Sequence, residues 1–227
     1  SKKSKIIQIQ IKTLSLLLLL IMNKLLYLPY CGCINHWLQL TDGDNVRFEA
    51  YGSYQRRTFR TRTILMSANG PQAISVPVES DYNKLYRDIK INYDTPWTEQ
   101  HQRAMLSAYN STPFYEFYAD DFAAIYDKHH TYIWDLNVEI MNLIAQLIGI
   151  KLTYSLTDDF IKCPDDYTDL RIGIEPKYQS VLKTHTIEPY YQVFAQRHGF
   201  TPDLSILDLL FNMGPESKLV LLNAKRL

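Results

Sequence analysis

Residues 54–78 read YQRRTFRTRTILMSANGPQAISVPV, and the rest of the chain is organised around this stretch. Its second half holds two runs of strand-forming residues, TILMSA and AISVPV, on either side of Asn69–Gly70. Asn-Gly readily adopts the positive φ angles of a tight turn, so the pattern predicts a β-hairpin. Pro71 cannot donate to the strand ladder, so we expect a loop wider than two residues. Pro77 predicts an edge strand.

The first half of this stretch is basic. If it is extended, Arg56, Arg60 and Arg62 project from one face, because strand side chains alternate. Converging guanidinium groups suit phosphate or carboxylate, which they bind in a bidentate manner. The segment therefore predicts a phosphate or pyrophosphate site. The alternative is a solvated edge strand whose charges guard against aggregation.

The composition is balanced in charge. The 227 residues include 24 Lys plus Arg and 24 Asp plus Glu, so the formal net charge is zero. General nucleic-acid binding depends on a broadly positive surface, so we expect no nucleic-acid partner. The length suits one large domain with a full core, or two small ones.

The cysteines indicate the redox state of the cellular compartment. Cys31, Cys33 and Cys163 are odd in number and lack CxxC spacing, which favours a reducing compartment and a cytoplasmic location. A nucleophilic thiolate in the loop around Cys31 and Cys33 is an alternative interpretation. His36 lies near this pair, but a fourth ligand is missing from the spacing, so we predict no metal site.

Residues 1–21 differ in character from the rest of the chain. Lysines precede the apolar run LSLLLLLI of residues 14–21. The run is shorter than the roughly 20 residues of a membrane-spanning helix, and no small-residue cleavage site comes after it. We expect an upstream extension with Met22 as the natural start, so that residues 22–227 form a single domain. A non-cleaved membrane anchor is the competing interpretation.

Three short segments predict a compact crossover. Residues 25–28 form an apolar run, residues 34–40 have apolar positions at helical spacing, and residues 46–50 alternate as a half-buried strand. A strand, a helix and a second strand in this order place the loop of residues 29–33 beside the basic segment, which comes after the second strand.

A helix is expected over residues 96–109, with Thr95 as its N-cap. Trp97, His101 and Met105 recur at helical spacing and share one face. A single His on an apolar face is usually a core residue. Because His101 lies just after a predicted strand and close to the basic segment, a general-base role is the competing interpretation.

The second half of the chain is mostly helical by pattern. Residues 114–147 have apolar and aromatic residues at helical spacing and predict one long helical region that ends at Gly149. Residues 89–93 alternate as a strand before it. Residues 158–177 are rich in acids, Pro and Gly, which predicts a mobile linker.

The last third adds further helices. A helix is expected over residues 189–198, Ser205 with Asp208 predicts a capping box, and residues 219–222 predict a terminal helix. The predicted fold class is therefore α+β. It combines a small mixed β-sheet and a β-hairpin from the N-terminal half with a largely helical C-terminal half packed against them.

Short motifs along the chain resemble the WbqC-like protein family. The order of the motifs is the specific feature, and the resemblance runs from Met22 to about Leu222. In chain order the motifs are Leu28-Pro29, Tyr54-Gln55 with Arg60-Thr61-Arg62, Asn69-Gly70 with Ser75-Val76-Pro77-Val78, Trp97 with His101, Ser107-Ala108-Tyr109, Asp135-Leu136-Asn137, Leu147–Ile150 and Asp203–Asn212.

The resemblance implies a transferase of bacterial surface-polysaccharide (O-antigen) biosynthesis, with acyl or glycyl transfer to an amino sugar carried on a nucleotide. Such a transfer needs a base and a grip on phosphate, and the base expected here is His101. The residues expected to bind phosphate and sugar are Tyr54, Gln55, Arg56, Arg60, Arg62 and Asn212.

Departures from the family pattern bear on the mechanism. Thr61 stands where the family usually has Asn, and the family does not require Cys31 or Cys33, which argues against a cysteine nucleophile. The alternative function is a non-catalytic binding or assembly protein. The expected partner is a nucleotide sugar or an acyl donor. The sequence identifies no cofactor, and a membrane is expected only if residues 1–21 form an anchor.

Overall fold

A computed structural model describes residues 23–79, 84–162, 164–174 and 185–226. The predicted extension of residues 1–21, the proposed start at Met22 and Cys163 lie outside the described residues.

A small parallel sheet forms the first layer. β1 (Asn23–Leu26) is joined to β2 (Asn45–Phe48) by helix α1 (Ile34–Thr41), and the strands pair in parallel with Leu26 opposite Phe48. The predicted crossover is therefore confirmed. It also places the loop after β1 beside the basic segment, because the backbone nitrogen of Tyr30 donates to the carbonyl oxygen of Phe59 at 2.7 Å.

The hairpin packs separately from this sheet. β3 (Arg62–Ser67) and β4 (Gly70–Ser75) pair antiparallel, with Ser67 opposite Gly70. The expected wide loop is wrong, because only two residues, Ala68 and Asn69, connect the strands. Pro71 lies opposite Met66, next to the closing pair. Ladder hydrogen bonds skip alternate pairs in an antiparallel hairpin, so its missing N–H leaves no bond unmade there.

The helical half contains α2 (Trp97–Tyr109), α3 (Tyr115–Tyr126) and α4 (Ile133–Ile148), followed by β5 (Tyr154–Leu156) and β6 (Thr168–Asp169). The sheet order is β5-β2-β1-β6. The C-terminal elements are β7 (His185–Thr186), α5 (Ala195–His198), α6 (Ile206–Met213), α7 (Ser217–Asn223) and β8 (Lys225–Arg226).

The single long helical region predicted for residues 114–147 is wrong, because α3 and α4 are separate helices. The chain leaves helical geometry between them: His129 has a φ of 52°, and the carbonyl oxygen of Thr131 accepts a 2.9 Å bond from the backbone of Ile91. The end at Gly149 is confirmed, since this residue is a left-handed C-cap with a φ of 74°.

Three other expectations are corrected. The predicted strand at residues 89–93 is reduced to isolated bridges, such as Val78 with Ile91. The predicted linker contains β6 and the buried Arg171, whose Nη1 atom donates to the fully buried Glu49 at 3.1 Å. The helix predicted over residues 189–198 is only the four-residue α5. Tertiary contacts outweigh local pattern in each case.

The N-cap at Ser205 is confirmed, because its hydroxyl accepts from the backbone of Leu207 at 3.3 Å. The capping box predicted with Asp208 is wrong, because the Ser205 backbone nitrogen donates to the carbonyl oxygen of Ile64 instead. The fold class is confirmed as α+β, with small sheets and a hairpin beside a largely helical second half. Among the described residues, no helix has both the length and the apolar character needed to cross a membrane.

Candidate functional site

A cleft of about 510 Å³ lies between the parallel sheet and helix α4. Strand ends form one side: Leu28 follows β1, Phe48 ends β2 and Leu156 ends β5. Ligands of parallel sheets bind at the carboxyl ends of the strands, because the loops there converge. The lining residues are Leu28, Phe48, His130, Trp134, Asp135, Val138, Glu139, Asn142, Tyr154 and Leu156.

The sheet side of the cleft is apolar and aromatic. Phe48 lies opposite Leu156 in the β2–β5 register, so the two side chains share one face of the sheet. Tyr154 is two residues before Leu156 and projects from the same face. Its ring meets the Phe48 ring edge-on, with centroids 5.1 Å apart. This side offers a ligand an apolar, aromatic surface.

The helix side of the cleft is polar. Asp135, Glu139 and Asn142 are spaced at i, i+4 and i+7 on α4, which places them along one face of the helix. Trp134 lies at the same end of the helix and is half-buried. The cleft therefore combines an aromatic surface with a row of hydrogen-bonding groups, which is the arrangement of many small-molecule sites.

His130 and Glu139 form a close pair in this cleft. The His130 Nε2 atom lies 2.6 Å from Oε2 of Glu139. An ionised carboxylate can only accept, so Nε2 carries the proton, and a neutral ring then has its lone pair on Nδ1. The Nδ1 atom is buried and makes no hydrogen bond to any residue that the structure describes. Nδ1 is therefore a hydrogen-bond acceptor that no described residue uses, on a side chain that lines the cleft.

Glu139 is kept ionised by its neighbours. Burial alone would raise its pKa, but hydrogen bonds from Lys128 and His130 outweigh burial and hold the pKa of this carboxyl below its usual value. Lys128 binds Oε1, so each carboxylate oxygen has a different partner. The carboxylate is thus available to orient the imidazole at neutral pH.

The loop that carries His130 is held in place by its surroundings. The Tyr93 hydroxyl donates to the carbonyl oxygen of His130 at 3.0 Å. The Tyr93 ring also stacks on His129, with centroids 4.8 Å apart and an interplanar angle of 21°. These contacts fix the backbone on both sides of the His130 side chain.

A buried polar layer lies directly behind the cleft. The Tyr86 ring contacts Trp134 with centroids 5.5 Å apart, and the Tyr86 hydroxyl donates to the carbonyl oxygen of Leu28 at 2.9 Å. Asn137 donates to the Tyr86 hydroxyl at 2.5 Å. The Arg60 guanidinium stacks on the other side of this layer, 3.4 Å from the centroid of the Tyr27 ring. Arg60 therefore supports the cleft without lining it.

The extended geometry expected for the basic segment is wrong. Residues 56–61 form successive turns, and Arg57 has a φ of 61°. Arg56, Arg60 and Arg62 do not project from one face, since Arg56 is exposed whereas Arg60 is only 1% exposed. Arg62 begins β3 and is half-buried. Phosphate binding by these arginines stays a prediction from sequence.

The residues expected to orient a sugar are also dispersed. Tyr54 is buried and its backbone nitrogen donates to the carbonyl oxygen of Lys84 at 3.2 Å, whereas Gln55 is exposed. Asn212 is buried in α6, where its side chain donates to the Asp208 carbonyl oxygen at 2.7 Å. The structure brings none of these three into the cleft lining.

His101 lies in a buried hydrogen-bond chain. Its Nε2 atom donates to the Ser75 carbonyl oxygen at 3.2 Å, so Nδ1 accepts from the Tyr30 hydroxyl at 2.8 Å. The Tyr30 oxygen in turn accepts from Tyr126 at 2.6 Å. Burial lowers the pKa of His101 to about 4, against the opposing effect of the Ser75 carbonyl. Both ring nitrogens are engaged, which favours a structural role over the predicted role as base.

The cysteines near His36 are buried. Burial raises the pKa of both the Cys31 and Cys33 thiols well above their usual value, so they are protonated and weakly nucleophilic. Cys33 Sγ lies 3.2 Å from His36 Nδ1. The two residues form a capping box at the start of α1, in which the Cys33 backbone nitrogen donates to His36 Nδ1 at 3.3 Å. In the described part of the chain, no group of three or more His, Cys, Asp or Glu side chains could hold a metal.

Sequence reasoning missed the cleft because it treats α4 as a core helix. The signal that could have found it is the stripe of Asp135, Glu139 and Asn142 on a mostly apolar helix, just after His129–His130. Adjacency in the sequence does not reveal the partner of either histidine. The pairing of His130 with Glu139, nine residues away, depends on the turn before α4.

Comparisons with known proteins agree with the sequence motifs. The chain is 29% identical over 192 residues to the uncharacterized protein Rv1507c of Mycobacterium tuberculosis, covering 72% of this chain and 81% of that protein. No solved structure matches the chain. The profile of the WbqC-like protein family matches residues 26–181, a range that includes every residue lining the cleft. The chain therefore belongs to the WbqC-like protein family.

Proposed function

We propose that the protein is a transferase of bacterial surface-polysaccharide biosynthesis that moves an acyl or aminoacyl group to the amine of an amino sugar. The observation that carries this proposal is His130, whose Nδ1 atom has no hydrogen-bond partner among the described residues while Glu139 binds its Nε2 atom. The family resemblance supplies the substrate class. A cytoplasmic location is part of the same proposal.

In this reaction the amine nitrogen attacks the carbonyl carbon of an activated acyl donor. The new C–N bond forms as the bond to the donor's leaving group breaks, and the nitrogen loses a proton. His130 Nδ1 takes that proton, and the resulting imidazolium is stabilised by the Glu139 carboxylate at 2.6 Å. Proton transfer to a positioned imidazole typically accelerates such reactions about 10²- to 10⁴-fold. His130 thus takes the role that sequence reasoning gave to His101.

The chemistry of the cleft suits the acceptor sugar better than the phosphate of the donor. Neither Lys nor Arg is found among the described residues that line it, whereas Asp135 and Glu139 carry negative charge. Carboxylates and the Asn142 amide can bind hydroxyl and amino groups, and Trp134 offers an apolar face to a sugar ring. The donor phosphate therefore binds outside the cleft in this proposal, with Arg56 and Arg62 as the sequence-predicted candidates.

The test is a direct assay for amide formation. Purified protein is incubated with a nucleotide-linked amino sugar and an acyl-coenzyme A, and the product is detected by its mass. We expect His130→Gln to lower the rate about 10²- to 10⁴-fold. His198→Gln, a change at an exposed histidine on α5, should leave the rate unchanged. A His130→Gln rate equal to that of the wild type would contradict the proposal.

The assay also separates the alternative function. A non-catalytic binding protein would bind the amino sugar, detected as a rise in melting temperature, without forming product. In that case Trp134 and Asp135 would still be needed for the rise, because both line the cleft.

A further inference from the structure

Lys128 belongs to the loop before α4 and contacts the site from outside. Its ammonium group binds Oε1 of Glu139, on the opposite oxygen from the one that meets His130. Lys128 is not among the residues lining the cleft, and its side chain is 58% exposed. It can therefore act on a ligand only through Glu139.

The position of the Glu139 carboxylate decides which way the imidazole faces. A Glu side chain ends in a broad torsion that allows its two oxygens to rotate. The ammonium group at Oε1 limits that rotation, so that Oε2 stays directed at His130 Nε2. A carboxylate that holds one ring nitrogen also selects the tautomer, since the proton must sit on the nitrogen that donates to it.

We infer that Lys128 is a positioning residue that fixes the His130 tautomer through Glu139 and so keeps the lone pair on Nδ1, the nitrogen of this cleft-lining residue that has no partner within the described part of the chain. This inference rests on the proposed function for its catalytic meaning, but its structural content can be tested without a substrate. Because exposed ion pairs contribute little to folding stability, removing Lys128 should leave the fold intact.

The first measurement is ¹⁵N NMR of the histidine rings in the free protein. The chain has six histidines, and the His130 signals are those that disappear in His130→Gln. In the wild type we expect separate shifts for a protonated Nε2 and an unprotonated Nδ1. In Lys128→Met these shifts should move toward each other as the tautomers mix, and Lys128→Arg should restore the wild-type separation.

The control is Arg103→Met, which breaks the exposed Arg103–Glu99 pair on α2. This pair has the same charges as the Lys128–Glu139 pair, is more exposed, and includes no residue of the cleft lining. The control should leave the His130 shifts unchanged. Unchanged His130 shifts in Lys128→Met would overturn the inference, whether or not the protein has transferase activity.

The second measurement is the rate of amide formation in the same variants. We expect Lys128→Met to lower kcat about tenfold, because the two His130 tautomers are mixed. The KM for the sugar should stay unchanged, because Lys128 does not touch the ligand. If the wild type forms no product, the proposed function fails while the NMR result still decides the role of Lys128. A wild-type kcat in Lys128→Met would also contradict the inference.

Discussion

The Asn137 side-chain nitrogen donates a 2.8 Å hydrogen bond to the backbone carbonyl oxygen of Arg60, 77 residues earlier in the chain. The same nitrogen donates to the Tyr86 hydroxyl. One fully buried amide thus ties helix α4, which bears the polar side of the cleft, to the basic segment and to the turn containing Tyr86. Through this bond the basic segment supports the helix that bears the polar side of the cleft.

Asn137→Ala should destabilise the protein by about 2–3 kcal/mol, because it removes two buried hydrogen bonds and leaves the Arg60 carbonyl with fewer donors. Asn142→Ala is the matched control on the same helix. Its side chain is exposed, so its effect should stay within about 0.5 kcal/mol. Urea unfolding measures both changes. Equal stabilities for the two variants would show that the Asn137 bonds contribute nothing.

Trp134→Leu should weaken binding of an amino sugar about tenfold in Kd, because the aromatic face in the cleft is lost while an apolar side chain remains against Tyr86. Isothermal titration with the free amino sugar measures the change. Phe117→Leu is the control, since Phe117 is 74% exposed on α3 and absent from the cleft lining. Undiminished affinity in Trp134→Leu would place the ligand elsewhere.

His101 should make the protein less stable as the pH falls. Burial lowers its pKa in the folded protein to about 4, below the ordinary value of 6.5, so the unfolded chain takes up the proton first. The stability from this group is fully present above pH 6.5. It is lost between pH 6.5 and 4, by about 3 kcal/mol in total. Urea unfolding at a series of pH values measures this loss, and His101→Gln should remove it. If the variant loses as much stability as the wild type between pH 6.5 and 4, His101 is not its cause.

Asp208 should act in the opposite direction over a similar range. Burial raises its pKa to about 6 from 3.8, although hydrogen bonds from Tyr190, Tyr109 and Gln192 oppose the rise. The folded protein therefore takes up this proton first, and stability increases as the pH falls from 6 to 3.8, by about 3 kcal/mol.

The Asp208→Asn variant has no such titration. As the pH rises from 4 to 7, its free energy of unfolding should increase by about 3 kcal/mol relative to that of the wild type. Asp121→Asn, at an exposed position on α3, is the control and should follow the wild type at every pH. If the free energies of unfolding of Asp208→Asn and the wild type differ by the same amount at every pH, Asp208 does not titrate in this range.

Gly214→Ala should be strongly destabilising, by about 2–4 kcal/mol, because two effects combine. Its φ is 53°, and an added Cβ would lie 2.4 Å from the ring of Phe114. Gly43→Ala isolates the first effect, since its φ is 80° and nothing lies within 4 Å of the added carbon. The Gly43→Ala variant should lose only about 1 kcal/mol of folding stability. Thermal unfolding compares the two, and similar losses would exclude the clash with Phe114.

Much of the fold follows from local pattern. The crossover of β1, α1 and β2, the hairpin, the left-handed end at Gly149 and the cap at Ser205 were all predictable. Each depends on residues close together in the chain, through side-chain periodicity, turn chemistry or the need to satisfy a helix end. The division between α3 and α4 was missed, because the backbone of Ile91, a distant segment, draws the chain out of helical geometry there.

The site was decided by contacts between distant residues. Sequence alone identified the cluster of arginines and a long helical region, but not the polar stripe of α4 or the importance of the histidine just before it. Only the tertiary structure decided that Arg60 is buried behind the cleft, that His101 is engaged on both nitrogens, and that Nδ1 of His130 is left without a partner among the described residues. A side chain's chemistry depends on its burial and its partners, and those are set by packing between elements that local periodicity does not specify.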